Sequence, residues 1–427
     1  MALPGPSWLS TDGRCVLLAR VLRNFGYGFV AVVLGVHVAE LGLSGAELGV
    51  LLAASLLGSS VFTVLVALRA DQLGRRRSLQ LFAAFMALTG AAYALTDQFW
   101  LLLAATLTGT ISASTGEVGP FLTLEQALLP QTASDERRTR LFTWYNLLGY
   151  GAVALGSLFA GLVAVAAARA GLAELATHRL LFWFYALLAA ATFILFASLT
   201  PAVERGPAPA VASFLGVQRS RGIVLKLTAL FGLDAFGGGL VVQSLIAYWF
   251  NVRFGLGLET LGPVFFGSNL LSALSLLAAE RLAARIGLVN TMVFTHLPSN
   301  VGMALMPLMP TPELAILLHL ARNSLSSMDV PTRQSYLMAV VDPAERTAAA
   351  GFTTLGRNVA QVFAPALGGL AMQTAALGLP FVIGGALKIV YDLTLWALFH
   401  AIRPPEEQSR SETSSTGDAG EKACAQR

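Results

Sequence analysis

The chain has 427 residues, 55% of them hydrophobic and 12% charged, with a formal net charge of +4. Soluble domains carry about a quarter of their residues as charges, so a soluble globular domain is excluded and an all-α integral membrane protein is implied. Two cysteines, Cys15 and Cys424, stand at opposite ends and offer no spacing for a metal or a disulfide framework.

Met1 to Gly13 holds no basic residue ahead of the first apolar run, which predicts an uncleaved first helix that serves as its own insertion signal. Apolar runs near 15–39, 47–68, 78–96, 99–129, 141–165 and 179–199 predict six spans, each able to cross about 30 Å of hydrocarbon as a helix. A linker at 201–222 follows, with Pro201, Gly206, Pro207 and Pro209 favouring an extended tether. Six further runs lie near 223–250, 260–283, 290–310, 313–341, 350–374 and 380–402, and a Ser-, Thr- and Glu-rich tail at 403–427 is expected to be disordered. The predicted organisation is a first six-helix half at 1–200, a cytoplasmic linker at 201–222, a second half at 223–402 and the tail.

Basic residues set the orientation, because cytoplasmic loops retain Lys and Arg during insertion. Arg75 to Arg77, Arg137, Arg138, Arg140, Arg205, Arg219, Arg221, Lys226, Arg281, Arg285 and Arg346 fall on one side of this topology. The opposite loops offer Arg169, Arg179 and Arg253 among several acids. Both termini are therefore expected in the cytoplasm.

The loop between the second and third runs reads Ala67-Leu68-Arg69-Ala70-Asp71-Gln72-Leu73-Gly74-Arg75-Arg76-Arg77. Gly74 permits a tight turn, Asp71 is placed to accept from a neighbouring helix start, and the arginines suit a phosphate or carboxylate. With Asp71, Gly74 and Arg75 in place this resembles the G-x-L-a-D-r-x-G-r-[rk] loop of the major facilitator superfamily of secondary transporters. Ala67, Arg69 and Gln72 depart from the family pattern. The resemblance implies about twelve transmembrane helices in two pseudo-symmetric six-helix bundles, a conformational latch at Asp71, Gly74, Arg75 and Arg76, and a central cavity lined by helices one, four, seven and ten.

An internal repeat points the same way. Glu125-Gln126, Asp135-Glu136-Arg137 and Ala160-Gly161-Leu162 have counterparts in Arg333-Gln334, Glu345-Arg346 and Gly368-Gly369-Leu370. The second-half partner of the latch loop, Ala284-Arg285-Ile286-Gly287, has lost the aspartate.

An ionisable side chain within a span costs roughly 2.5–3.5 kcal/mol on insertion scales, so it needs a partner or a wet cavity. Arg20 and Arg23 fall in helix one, Glu117 and Glu125 in helix four, Asp234 in helix seven, and Arg322, Asp329 and Arg333 in helix ten. At 100° per residue the three helix-ten charges share one stripe, and Arg23 shares a face with Tyr27. Arg23, Tyr27, Glu117, Asp234, Arg322, Asp329 and Arg333 are the candidate substrate and ion-coupling residues. The competing structural reading has Arg20, Arg23, Glu125 and Arg333 snorkelling or forming ion pairs. Glu117 and Asp234 lack a basic neighbour on their own helices and are the expected proton carriers.

Gly237-Gly238-Gly239 reads equally as a gating hinge or a packing face. The helix-five segment Gly156 to Gly161 lacks the proline of the antiporter signature, which Ala364-Pro365-Ala366-Leu367-Gly368-Gly369 in helix eleven matches better. Lys388 and Asp392 are four apart and suit an intrahelical pair. The five histidines have no metal-ligand spacing, and no catalytic signature or nucleotide loop occurs.

The expectation is a non-enzymatic secondary transporter of the inner membrane that exports a small organic molecule in exchange for protons. It is expected to be a monomer surrounded by lipid, with no cofactor, metal or nucleic-acid partner. Uptake of an organic anion, by symport or facilitated diffusion, is the alternative, and a non-transporting receptor or scaffold the remote one.

Overall fold

A computed structural model describes residues 9–111, 119–132, 137–204 and 218–401, without the side chains of 67–73, 138, 139, 344 and 347. Glu117, Asp135, Glu136, the side chain of Asp71, most of the linker and the tail lie outside the described residues.

The first half comprises α1 (Thr11–Glu40), α2 (Gly45–Leu73), α3 (Arg75–Leu95), α4 (Phe99–Thr106), α5 (Pro120–Leu128), α6 (Arg138–Arg169) and α7 (Glu174–Ala197). The second comprises α8 (Arg221–Gly239), α9 (Gln243–Phe254), α10 (Leu258–Ile286), α11 (Leu288–Leu305), α12 (Pro312–Asn323), α13 (Asp329–Val340), α14 (Arg346–Val362), α15 (Ala364–Thr374) and α16 (Leu379–Phe399). Passes four, seven, ten and eleven are each two helices in series, so the chain crosses twelve times. Eight described segments are long and apolar enough to cross alone. The others are the interrupted passes four, ten and eleven, and α11, which carries His296 and Asn300.

The halves are built alike. In the first, α1 packs on α6 and α7, and α3 on α7; in the second, α8 packs on α14 and α16, and α11 on α16, the same pairs of passes in each case. Between the halves the most extensive contacts are α6 with α10, α2 with α15 and α1 with α9. These involve the ends of the helices remote from the chain termini. One apolar cluster spans both halves there, including Val33, Leu48, Leu245 and Met372. Towards the termini the core divides into a first-half cluster around Leu79, Leu124 and Tyr145 and a second-half cluster around Leu227, Met292 and Tyr391. The molecule is thus sealed on the far side and divided on the terminal side.

Close backbone approach makes the seal. A Cβ at Gly369 would lie 2.0 Å from the Gly45 carbonyl oxygen, so only glycine lets α15 touch α2. Ser244 Oγ donates to the Ala31 carbonyl at 2.8 Å, and Asn269 Nδ2 to Ser157 Oγ at 3.2 Å, tying the halves at the far side and mid-depth. Gly369→Ala is expected to part these helices. Cysteines at positions 45 and 372, whose Cβ atoms would be about 3.3 Å apart, should cross-link rapidly in the parent chain and several-fold more slowly in this variant. An unchanged rate would show that the contact does not hold the far side shut.

Carboxylates organise the terminal side. Gly74, at φ +81°, turns the chain from α2 into α3. Glu204, just beyond α7, accepts from the backbone N–H of Arg75 at 2.7 Å and of Arg76 at 3.0 Å, while Arg76 Nη2 donates to the Ala197 carbonyl at 2.6 Å. The candidate latch loop is therefore held by the end of its own half. Asp12 likewise accepts from the N–H and hydroxyl of Thr200 at 2.9 and 2.6 Å.

In the second half Glu345 accepts from the backbone N–H of Gln218, Arg219 and Ser220 at 2.8–2.9 Å, closing the start of α8. These amide bonds to the charged form hold its carboxyl down at about 2, against an ordinary 4.5. A depressed carboxylate contributes stability that is present above its unfolded value and lost as pH falls through the folded one. Between pH 5 and 8 this clamp is therefore constant. Glu345→Gln is expected to raise hydrogen exchange at the amides of residues 218–220 across that range, with no pH-dependent recovery. Protection equal to the parent's would remove the clamp.

Candidate functional site

The second half lines an open cavity of about 250 Å³ between α8, α9, α10, α12, α14 and α16. Polar groups dominate its wall: Arg322, Arg357 and Lys388 supply positive charge, Asp234 a carboxylate, and Asn269, Asn323 and Gln361 supply amides. Arg322, in the last turn of α12, donates from Nε to the Ser299 carbonyl at 3.3 Å and from Nη2 to the Met303 sulfur at 3.5 Å. Among the described residues it has no carboxylate within ion-pair distance. A guanidinium presents five donors, so most of its hydrogen-bonding capacity faces the cavity.

A buried charge cluster centred on Asp234 of α8 joins this wall. Lys388 Nζ binds Asp234 Oδ1; Arg333 Nη1 and Arg357 Nη1 approach Oδ2 at 3.2 and 3.5 Å. Arg333 also binds Asp329 one turn earlier on α13, at 2.8 Å. His296 lies between two carboxylates, with Nδ1 2.8 Å from Asp392 Oδ1 and Nε2 3.8 Å from Asp234 Oδ1. Asn300 Nδ2 donates to Asp392 Oδ2 at 2.8 Å. Three cations are balanced by Asp234, Asp329 and Asp392, which makes the burial tolerable.

Two expectations are corrected here. The helix-ten stripe does not exist as one surface, because α12 ends at Asn323 and α13 begins at Asp329; the break sends Arg322 to the cavity and Asp329 and Arg333 to the cluster. Lys388 and Asp392 do not pair with each other: Lys388 reaches α8, and Asp392 reaches α11. Asp234, without a basic neighbour on its own helix, meets three that converge on it from other helices.

The glycines of α8 give close packing and stand at the end of the helix. A Cβ on Gly237 would meet Lys388 and Gly384, and one on Gly239 would meet Ala364, which is packing; α8 stops directly after them, and α9 resumes at Gln243. Gly238 lines the cavity, where a Cβ would meet only Lys388 Nζ, at 3.5 Å.

In the first half Arg23 is fully buried and binds Glu125 bidentately, Nη1 to Oε1 at 2.7 Å and Nη2 to Oε2 at 2.9 Å. Tyr145 donates to the same carboxylate at 2.8 Å. Tyr27 is buried with its ring 6.4 Å from that of Tyr185. Neither Arg23 nor Tyr27 lines the described cavity. Arg23 and Glu125 join passes one and four as Asp234 and Arg333 join passes seven and ten, with the signs exchanged. The repeat noted at Glu125-Gln126 and Arg333-Gln334 is thus a repeat of ion-pair positions.

The sequence reading missed His296, Asn300, Arg357 and Gln361. The signal was available: each pair is spaced i, i+4, a polar ridge on one face of an apolar span.

The sequence matches the Major Facilitator Superfamily model over residues 16–321. The chain belongs to this superfamily. Along its length it is similar to the uncharacterized membrane protein YJR124C of Saccharomyces cerevisiae, 26% identical over 425 residues that cover 91% of this chain and 94% of the yeast protein. The fold is similar to that of the nucleoside transporter NupG, with a TM-score of 0.71 at 15% identity over 91% of this chain and 99% of that one. It is similar also to a D-xylose-proton symporter, with a TM-score of 0.68 at 16% identity over 90% and 97%. Superfamily membership makes this a multi-pass membrane transporter of small molecules, not an enzyme.

Proposed function

We propose that this transporter moves a small organic anion by alternating access, with the second-half cavity as its substrate site and Arg322 as the principal anion-binding group. The observation that carries the reading is Arg322 itself, a cation turned to a polar cavity with a carbonyl and a thioether as its described partners. Lys388 and Arg357 add positive potential, and the amides of Asn269, Asn323 and Gln361 suit hydroxyl or carbonyl groups on the rest of the ligand. Of the two sequence-based readings, this chemistry favours uptake of an organic anion over export of a small organic molecule in exchange for protons. Both termini are assigned to the cytoplasm of an inner membrane by the distribution of basic loops, so the far-side seal corresponds to an inward-facing state.

Matched ligand series test the charge preference. Gluconate and benzenesulfonate should raise the unfolding temperature of the protein in nanodiscs, because a ligand at 100 times its Kd adds about 2.7 kcal/mol. Gluconamide, benzenesulfonamide, glucamine and benzylamine should do so weakly or not at all. Stabilisation by the amines alone would overturn the proposal.

A further inference from the structure

We infer that His296, outside the substrate cavity, is the proton-binding residue of this transporter, and that loading it turns Lys388 from a partner of Asp234 into a ligand of the anion. The second clause rests on the anion reading given above.

The geometry fixes how the ring can act. Imidazole Nδ1 and a carboxylate oxygen both accept when deprotonated, so their 2.8 Å separation requires a proton between them. Asn300 Nδ2 donates to the other oxygen of Asp392 at 2.8 Å and stands 3.1 Å from Nδ1; in the proposed state the shared proton sits on Nδ1 and is donated to Asp392. The free lone pair is then on Nε2, which faces Asp234 Oδ1 at 3.8 Å. A proton added at Nε2 would give an imidazolium between two carboxylates, and a shift of under about 1 Å would bring Nε2 within hydrogen-bond range of Asp234.

The oxygen it would reach is the one that Lys388 holds. Asp234 Oδ2 is already approached by Arg333 and Arg357, so a second cation at Oδ1 competes directly with the ammonium. Lys388 has somewhere to go. It lines the cavity beside Gly238, whose missing side chain leaves room for the four-carbon stem to swing. Proton binding thereby adds one positive charge to the cavity wall, and anion binding draws Lys388 away from Asp234 and favours the proton. Such coupling is reciprocal by linkage.

Among the described residues, Asp234 from α8 and Tyr391 and Asp392 from α16 stand against His296; Lys388 from α16, Arg333 from α13 and Arg357 from α14 stand beyond it on Asp234, and Asp329 from α13 on Arg333. On α12, Arg322 bonds to Ser299, three residues along α11 from His296. The step makes and breaks one N–H bond: a proton arrives from water in the cavity and returns to water after the conformational change. One proton accompanies one monoanion, so the proposed cycle is an electroneutral symport.

Ring-nitrogen NMR of 15N-histidine-labelled protein in nanodiscs tests this, with His296→Asn identifying the resonance. Lys388→Gln is expected to raise the His296 midpoint by about one pH unit, a tenfold change in proton affinity. Lys388→Arg should preserve it, and Asp234→Asn should lower it. Gluconate or benzenesulfonate, whichever stabilises the parent protein, should raise the midpoint in the parent and leave it unmoved in Lys388→Gln. A midpoint identical in Lys388→Gln and the parent would overturn the exchange. If Lys388→Gln moves the midpoint while neither anion binds, the His296–Lys388 exchange stands and the anion reading falls.

Discussion

Replacing Arg23 alone by leucine is expected to destabilise the protein by about 3–5 kcal/mol, the usual cost of breaking a buried ion pair from one side. The expectation comes from the completeness of the pair: both side chains are fully buried, and the contact is bidentate at 2.7 and 2.9 Å. Glu125 would keep the hydrogen bond from Tyr145 but lose its bidentate cation. The guanidinium also lies 4.3 Å over the Phe121 ring, a contact that leucine replaces in part. The double variant Arg23→Leu with Glu125→Leu removes both charges and should recover most of the loss, since apolar replacements of buried pairs are often neutral. Reversible unfolding in mixed micelles measures both. If single and double variants are equally destabilised, the pair is not what Arg23 contributes.

Arg322→Gln is expected to weaken anion binding by about 10- to 100-fold, the range of a hydrogen bond to a charged group at 1.5–3 kcal/mol. Binding of the amides should change little. Glutamine keeps donors and similar length while losing charge and the planar fork, so the variant separates electrostatics from cavity shape. Calorimetric titration of gluconate against gluconamide gives the ratio directly. Equal loss for both would mean that Arg322 shapes the wall instead of binding charge.

Much of the fold was legible in the sequence, for a physical reason: hydrocarbon demands runs of about twenty apolar residues, and such runs survive interruption by single charges. The twelve passes, the two related halves and the turn at Gly74 follow from run lengths, a repeat and one glycine. What could not be read was the partner of each buried charge. Arg333 and Asp329 are four apart on one helix, and their pairing was within reach of helix periodicity. Asp234 owes its surroundings to α11, α13, α14 and α16, and single-helix geometry carries no information about those rotations. The helix-ten error has a specific cause, because five residues, 324–328, leave the helix and reset the angle between Arg322 and Asp329. His296 was passed over as a lone histidine, and its importance lies wholly in the two carboxylates on either side of it.

Accumulation in proteoliposomes tests the central claim most directly. Labelled gluconate, which does not cross bilayers passively, is offered outside at acid pH with an alkaline interior. The account requires saturable accumulation above the external concentration in the parent protein, abolished in Arg322→Gln, with glucamine not accumulated. In His296→Asn, exchange of gluconate at equal pH should persist while accumulation is lost. Proton-driven accumulation of glucamine but not of gluconate, unaffected by Arg322→Gln, would contradict it.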